Sequence, residues 1–192
     1  MANMIIPSNN NNLVFDNLLL RNLTLEDCTF NYVNWLNDED VNKYLETRFI
    51  IQDIEKIKNF VQTINDSSDS CLFGIFVSDV HIGNIKIGPI HPIYKYADIS
   101  YFIGDKLYWG KGYAAIAIKL IIDFGFSILC LNRIQAGVHA SNSSSVKVLE
   151  KCGLKKEVVL RQKIFYNSGD SKIWDDHLYY GILSSEYTNS KL

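Results

Sequence analysis

A glycine-rich loop between a predicted strand and a long apolar helix is the feature that most constrains how this chain can fold. Residues 97–103 alternate as a strand does, and Gly104, Gly110 and Gly112 follow them. Apolar residues then recur at helical spacing to about residue 129. Glycines let a backbone approach a ligand, and the first N–H groups of a helix lack intrahelical partners. The segment therefore predicts an anion site that suits a phosphate or a pyrophosphate.

Two other kinds of nucleotide loop share part of this pattern. A P-loop needs Gly-Lys followed by Ser or Thr, whereas Lys111 is followed by Gly112, so that class is excluded. The spacing from Gly110 to Ala115 matches a dinucleotide fingerprint, but no acidic residue stands about 20 residues further on. The preceding strand also carries the polar Asp98, unlike a strand buried on both faces. A dinucleotide-binding oxidoreductase is therefore the weaker alternative, and preference for NAD over acetyl-CoA would decide for it.

The rest of the chain predicts a mixed sheet with helices packed on it. The expected order is a strand, helices, three strands, a helix, a strand, a helix and two strands, which is an α/β arrangement. Strands are expected at residues 18–23, 71–77, 81–90, 97–103, 133–138, 154–166 and 173–183, and helices at residues 24–36, 39–47, 54–64, 113–129 and 142–152.

Composition and charge argue against several classes of function. A net charge of -2 and the lack of any Lys/Arg run give no reason to expect a nucleic-acid partner. The 4 cysteines are too widely spaced for a disulfide scaffold or a metal ribbon, and the 4 histidines lack metal-motif spacing, so no metal is expected. No apolar run approaches the roughly 18 residues of a membrane helix, and no secretion signal is recognisable. We expect a cytoplasmic protein with an Asn-rich flexible tail at residues 1–12 and a single domain at residues 13–192.

The loop sequence itself resembles a known nucleotide-binding loop. Tyr108-Trp-Gly-Lys-Gly-Tyr-Ala is similar to the acyl-CoA pyrophosphate loop of the GNAT acetyltransferases, whose pattern is Gln/Arg-x-x-Gly-x-Gly/Ala. Gly112 and Ala114 match its last two fixed positions. Trp109 stands where Gln or Arg is usual, a departure associated with the ribosomal-protein-alanine acetyltransferase branch. Trp109 removes one side-chain contact but leaves the backbone amides, which carry most of the phosphate binding.

A second motif lies at the distance that this family requires. Asn142-x-x-Ser, followed by Glu150-Lys-x-Gly-Leu, resembles the corresponding segment of the same branch. Trp174-x-Asp-His-x-x-Tyr resembles the closing strand of that branch. The resemblance spans roughly residues 18–186 and implies the GNAT fold, an α/β (α+β) architecture. Its central sheet is mixed and mostly antiparallel, with about six to seven strands and helices on both faces.

The resemblance implies acetyl-CoA as the cosubstrate. In the family the loop holds the pyrophosphate, Asn142 contacts the pantetheine arm and Ser145 lies near the cofactor, although Asn142 can equally be a helix cap. The strand at residues 101–103 is expected to splay from the strand at residues 133–138, so that pantetheine fits into the gap. The candidate cofactor-binding residues are Tyr101, Phe102, Ile103, Trp109, Gly110, Lys111, Gly112, Tyr113, Ala114, Asn142, Ser145 and Lys151.

Acetyl transfer to an amine requires a base, a polarised thioester and an acid for the departing thiolate. Asp98 opens the central strand and is the candidate catalytic base, acting directly or through a water. His139 ends the neighbouring strand and is a second catalytic candidate, as a base or a substrate contact. Many GNAT enzymes carry a tyrosine acid at the position that Leu149 occupies here. The general acid is therefore unassigned by the sequence.

The stretch after the first strand carries the candidate acceptor-binding residues. It resembles a segment of acetyltransferases that act on nucleotide-linked amino sugars, and an arginine there suits a sugar-nucleotide phosphate. An ordinary solvated helix-loop face is the alternative interpretation. We expect an amino-sugar nucleotide as the acceptor rather than a protein N-terminus or a polyamine. The candidate residues are Trp35, Tyr44, Glu46, Arg48 and Phe49.

The expected function is therefore acetyl transfer from acetyl-CoA to a primary amine, with a nucleotide-linked amino sugar as the leading acceptor. A protein N-terminal amine or another small amine is an alternative acceptor. A non-catalytic acyl-CoA-binding module is an alternative of another class, because Trp109 and Leu149 both depart from the family pattern. The exposed strand ends and aromatic residues also permit a homodimer.

Overall fold

One eight-stranded sheet organises the protein, whose computed structural model describes residues 12–168 and 171–187. The strand order is β1-β2-β3-β4-β5-β6-β8-β7, and only the β5–β6 pair in the described ranges is parallel. The strands are β1 (Leu13–Phe15), β2 (Leu18–Asn22), β3 (Cys71–Val77), β4 (Val80–His91), β5 (Tyr96–Ile103), β6 (Arg133–His139), β7 (Lys155–Ser168) and β8 (Ser171–Leu183). The predicted mixed, mostly antiparallel GNAT sheet is confirmed. The short β1 adds one strand to the expected number.

Within the described ranges, five α-helices connect the strands: α1 (Phe30–Asn37), α2 (Glu39–Asn42), α3 (Ile54–Asn65), α4 (Tyr113–Asp123) and α5 (Ser143–Lys151). The capping box predicted at Thr24 is present, but it stabilises a short 3-10 turn. The first α-helix instead begins after Thr29, whose side chain accepts the N–H of Tyr32. Apart from Asn12, the predicted Asn-rich tail lies outside the described residues.

The sheet buries a different set of helices on each face. Leu72 packs in a cluster with α1 and α3, whereas its neighbour Phe73 packs in a larger cluster with α4 and α5. Successive strand residues point to opposite faces, which explains this division. Burial of each such side chain stabilises the fold by about 1.5–3 kcal/mol. None of the helices in the described ranges is long and apolar enough to span a membrane.

The parallel strands β5 and β6 separate soon after they pair. Their register runs from Tyr96 opposite Arg133 to Asp98 opposite Gln135 and extends no further. Beyond this point the two strands open a gap in the middle of the sheet, as the family resemblance predicted. Such openings at the carboxyl ends of parallel strands are where α/β proteins commonly bind ligands.

Candidate active site

The glycine loop leaves open space in front of the start of α4. Gly110 and Gly112 have φ values of +72° and +88°, which favour glycine, and a Cβ at either position would meet no atom within 4 Å. The first helical backbone hydrogen bond of α4 is donated by the Ile116 N–H to the Gly112 carbonyl, at 3.2 Å. The preceding amides point away from the helix and can bind an anion. The loop therefore fits a pyrophosphate.

Trp109 fixes this loop to the end of β5. Its indole Nε1 donates a hydrogen bond of 2.8 Å to the Ile103 carbonyl. The side chain that replaces the usual Gln or Arg thus supports the loop through the strand that borders the gap.

A cavity of about 450 Å³, which we call the glycine-loop cavity, extends from this loop to the gap. All the candidate cofactor residues line it except Lys111, whose ammonium lies 5.4 Å from the centre of the Tyr108 ring. Tyr44, a candidate acceptor residue, also lines it. The remaining lining residues were not predicted as ligand contacts: Asp40, Val41, Leu45, Tyr108, Ala115, Ser144 and Val148.

Asn142 serves two roles at the edge of this cavity. Its Oδ1 accepts the Ser145 N–H at 3.2 Å, so it is the N-cap of α5. Both residues also line the glycine-loop cavity. The capping interpretation and the ligand interpretation are therefore compatible.

A second cavity of about 430 Å³, which we call the α3 cavity, lies on the face covered by α1 and α3. The two cavities share Tyr44, Leu45, Tyr101 and Phe102, so they meet at the gap between β5 and β6. Most of the α3 cavity wall is apolar. Its lining residues are Tyr32, Leu36, Tyr44, Leu45, Glu46, Thr47, Gln52, Ile57, Phe60, Leu72, Asn84, Ile85, Lys86, Ser100, Tyr101 and Phe102.

Two buried polar atoms on the wall of the α3 cavity are unsatisfied. Thr47 Oγ1 and Asn84 Nδ2 have no hydrogen-bond partner within residues 12–168 and 171–187. Asn84 Oδ1 is held by His81 Nε2 at 2.8 Å, which fixes the amide plane. The Asn84 amide also lies beside the Tyr32 hydroxyl, but without normal hydrogen-bond geometry. Unsatisfied buried polar groups are rare in proteins, so these atoms are candidates for hydrogen bonds to a ligand.

The Tyr101 side chain is a feature of the site that sequence reasoning missed, because only its backbone was expected to act. Its hydroxyl is buried and makes no hydrogen bond of normal geometry in the part of the chain that the structure describes. Burial raises the pKa of Tyr101 to about 12, against a smaller lowering effect of the Ser145 side chain beside it. The hydroxyl is therefore protonated at neutral pH.

His139 and Asp175 form a pair close to the junction of the cavities. His139 Nδ1 lies 3.3 Å from Asp175 Oδ2, and the His139 ring lies 5.1 Å from that of Tyr44. Asp175 is held in turn by the Ser141 N–H and hydroxyl, at 3.1 and 2.7 Å. Burial lowers the pKa of His139 despite the opposing effect of Asp175. Neither residue is among those that line the glycine-loop cavity or the α3 cavity, and no sequence motif had indicated Asp175.

Asp98, the first candidate for the base, lies at the closed end of the gap. Its Oδ1 accepts the Gln135 Nε2–H at 3.1 Å, and it is not among the residues that line either cavity. The structure therefore does not bring Asp98 to the junction where the cavities meet.

Tyr44 and Glu46 line the α3 cavity, but the other candidate acceptor residues do not. The Trp35 ring packs on the Cα face of Gly104, where a Cβ would approach it to 2.2 Å. Arg48 is largely buried and donates to the carbonyls of Leu45 and Phe165, at 2.6 and 2.7 Å. The Phe49 ring lies 5.4 Å from the Phe165 ring. These three side chains therefore make structural contacts that hold residues 35–49 against neighbouring parts of the chain.

The geometry agrees with comparisons to known proteins. Residues 17–155 match the model of the acetyltransferase (GNAT) domain. The chain is 34% identical over 181 residues to the uncharacterized N-acetyltransferase p20 of Bacillus licheniformis, covering 91% of this chain and 97% of that protein. It is 26% identical over 161 residues to spermidine N(1)-acetyltransferase of Vibrio cholerae, covering 84% and 77% of the two chains.

The fold has close counterparts among solved structures. The crystal structure of spermidine N-acetyltransferase from Vibrio cholerae in complex with CoA and spermine superimposes with a TM-score of 0.78 at 24% identity, covering 88% of this chain and 97% of that one. The chain therefore belongs to the GNAT acetyltransferase family and is an acetyl-CoA-dependent N-acetyltransferase.

Proposed function

We propose that this enzyme acetylates the primary amine of a small hydroxylated molecule, and that an amino sugar is the class of acceptor that fits the α3 cavity. The observation that carries the proposal is the pair of buried, unsatisfied atoms Thr47 Oγ1 and Asn84 Nδ2 in its wall. An unpaired buried donor or acceptor costs about 1–3 kcal/mol. Ligand hydroxyl groups, which both donate and accept, would satisfy both atoms.

The aromatic residues of the α3 cavity support the same class of acceptor. Tyr32, Phe60 and Phe102 line it. A sugar ring has an apolar C–H face and a polar edge, so it can pack on aromatic rings while its hydroxyls reach Thr47 and Asn84. Ligand sites commonly combine apolar walls with a few polar groups in this way.

The charges around the α3 cavity favour a molecule with one amine. Glu46 and Lys86 are the charged side chains that line it among the described residues. The exposed Glu46 carboxylate can attract the ammonium group, whereas Lys86 repels additional cationic groups. Arg48 is engaged by two carbonyls, so it lends no support to a nucleotide phosphate at that position. The proposal therefore needs the amino sugar and does not need the nucleotide.

A polyamine is the second candidate acceptor. It is favoured by the similarity of the chain to proteins named spermidine N(1)-acetyltransferase. The single carboxylate in the wall of the α3 cavity and the nearby Lys86 are the features that argue against it.

In this proposal His139 receives the proton that the amine must lose. Asp175 holds the imidazole through Nδ1, and the lowered pKa keeps the ring neutral and able to accept a proton near pH 7. Because His139 lies behind the cavity surface, next to the Tyr44 ring, the proton would reach it through a water.

The strand edge at the gap would polarise the thioester. The Ile103 carbonyl faces away from β4, since Trp109 binds it, while the Gly104 N–H binds the Ile82 carbonyl on the β4 side. Residues two apart in a strand direct their backbone groups to the same edge, so the Tyr101 N–H faces the gap. An amide at this place can stabilise the developing oxyanion, an effect worth about 3 kcal/mol.

The test is an acceptor panel assayed by release of free CoA thiol. The purified enzyme with acetyl-CoA is given free amino sugars, the same sugars linked to a nucleotide, spermidine, putrescine and a short peptide with a free N-terminus. We expect the highest kcat/KM with amino sugars, whether or not the nucleotide is attached. A higher kcat/KM with spermidine or with the peptide would reject the amino-sugar proposal.

A further inference from the structure

We propose that the Tyr101 side chain is the general acid that protonates the departing CoA thiolate. The inference rests on the acetyl transfer site described above and adds a catalytic residue to it. Tyr101 lines both cavities, at the gap where the thioester and the amine must meet. The hydroxyl is buried and unsatisfied in the described ranges, so no protein acceptor occupies its proton.

The other tyrosines around the gap fit this role less well. Tyr44 lines both cavities, but its hydroxyl donates to the Ser141 carbonyl at 3.3 Å. Tyr108 and Tyr113 line the glycine-loop cavity and are not among the residues of the α3 cavity. Tyr32 lines only the α3 cavity of the two. Tyr101 alone of these tyrosines combines the shared position with a free proton.

Leu149 occupies the position where many GNAT enzymes carry their tyrosine acid, so another group must protonate the thiolate here. Leu149 carries no dissociable proton, and it is 1% exposed within the core cluster that also packs against Tyr101. Ser145, one turn earlier on α5, lies beside the Tyr101 side chain. The phenol of β5 thus approaches the first turn of the helix on which related enzymes carry their acid.

The step balances without any further reactant. The amine nitrogen forms a bond to the thioester carbonyl carbon, and the carbon–sulfur bond then breaks. The sulfur leaves with the electron pair and takes the proton of Tyr101 Oη, which yields CoA thiol. The proton that the amine loses returns to the phenolate through solvent, so the enzyme regains its starting state. A group that is protonated at neutral pH is suited to this donation.

Tyr101→Phe tests the assignment, with Tyr94→Phe as the control, because Tyr94 is 71% exposed and outside both cavities. We expect kcat of Tyr101→Phe to fall roughly 100-fold while the KM for acetyl-CoA and the thermal shift caused by CoA stay near wild type. The Tyr94→Phe control should keep wild-type kcat. An unchanged kcat in Tyr101→Phe would overturn the proposal.

A second measurement keeps the test valid where Phe disturbs the packing. Replacement of Tyr101 by a fluorotyrosine preserves the ring and makes the phenol more acidic. Because the acid must be protonated, kcat should decline at lower pH than in the wild type. If the alkaline decline of kcat occurs at the same pH in the fluorotyrosine variant and in the wild type, the assignment is contradicted. These ratios are measured with whichever amine the wild-type enzyme acetylates, so failure of the amino-sugar proposal is distinguishable from failure of this one.

Discussion

The Trp109 indole donates a hydrogen bond of 2.8 Å to the Ile103 carbonyl. This bond joins the glycine loop, which would hold the pyrophosphate, to the strand that borders the pantetheine gap. Two parts of one ligand site are thereby held at a fixed separation, although the side chain that links them departs from the family pattern.

Trp109→Phe should weaken acetyl-CoA binding without affecting the later chemistry. The substitution removes the indole donor, and a lost hydrogen bond of about 1 kcal/mol corresponds to a roughly fivefold rise in the KM for acetyl-CoA. Steady-state kinetics should show little change in kcat. Trp174→Phe is the control, since Trp174 is 55% exposed and outside both cavities. Equal effects of the two substitutions on KM would contradict the role of Trp109.

Gly112→Ala and Gly153→Ala form a matched pair. Both glycines have a φ of +88°, and an added Cβ would meet no atom within 4 Å at Gly112 and only Ile182, at 3.6 Å, at Gly153. Each alanine should cost about 1–2 kcal/mol of backbone strain. Urea unfolding should therefore show similar losses of stability. Titration calorimetry with CoA should show weaker binding for Gly112→Ala alone, and equal affinities in the two variants would argue against phosphate binding at the loop.

Lys86→Glu should change acceptor preference in favour of polycations. Lys86 lines the α3 cavity, so the substitution replaces a repelling charge with an attracting one. We expect kcat/KM for spermidine to rise by about tenfold or more relative to that for an amino sugar. Lys58→Glu makes the same change in net charge on α3 outside both cavities and should leave the ratio unchanged. A ratio that is equally unchanged in Lys86→Glu would mean that the acceptor binds elsewhere.

Stability should decrease as the pH falls from about 7.5 to 5.5. Burial lowers the pKa values of His81, His139 and His177 below the value of about 6.5 expected in the unfolded chain. The unfolded state therefore binds more protons in this window, and stability is lost as pH falls through the unfolded pKa toward the folded values. Carboxylates with lowered pKa values titrate below this pH window, so they do not contribute to the loss of stability within it. Urea unfolding at both pH values measures the loss, which should be smaller in His81→Gln.

Local sequence signals predicted the parts of the site that depend on neighbouring residues. The loop around Gly112 and the cap at Asn142 follow from short motifs, and the structure contains them. The splayed strands were expected only from the family resemblance, and they are present as well. The contact of Arg48 with the Phe165 carbonyl could not be inferred from the sequence, because Phe165 lies 117 residues away on the β7–β8 hairpin. The partnership of His139 with Asp175 likewise joins residues 36 apart in the sequence.

Two properties of Tyr101 that the proposed acid role requires could not be predicted from the sequence either. Alternation placed Tyr101 on the face with Ile99 and Ile103, which is the ordinary pattern of a core side chain. Its hydroxyl lacks a partner and the residue borders both cavities, and both properties depend on how α5 and the segment after α2 pack around the gap. Sequence spacing specifies neither.

A crystal structure of the protein with CoA tests the account most directly. We predict the pyrophosphate on the amides at residues 110–114, pantetheine between β5 and β6, and the thiol sulfur within hydrogen-bonding distance of Tyr101 Oη. CoA bound away from the glycine loop, or with its sulfur outside the junction of the two cavities, would contradict the account.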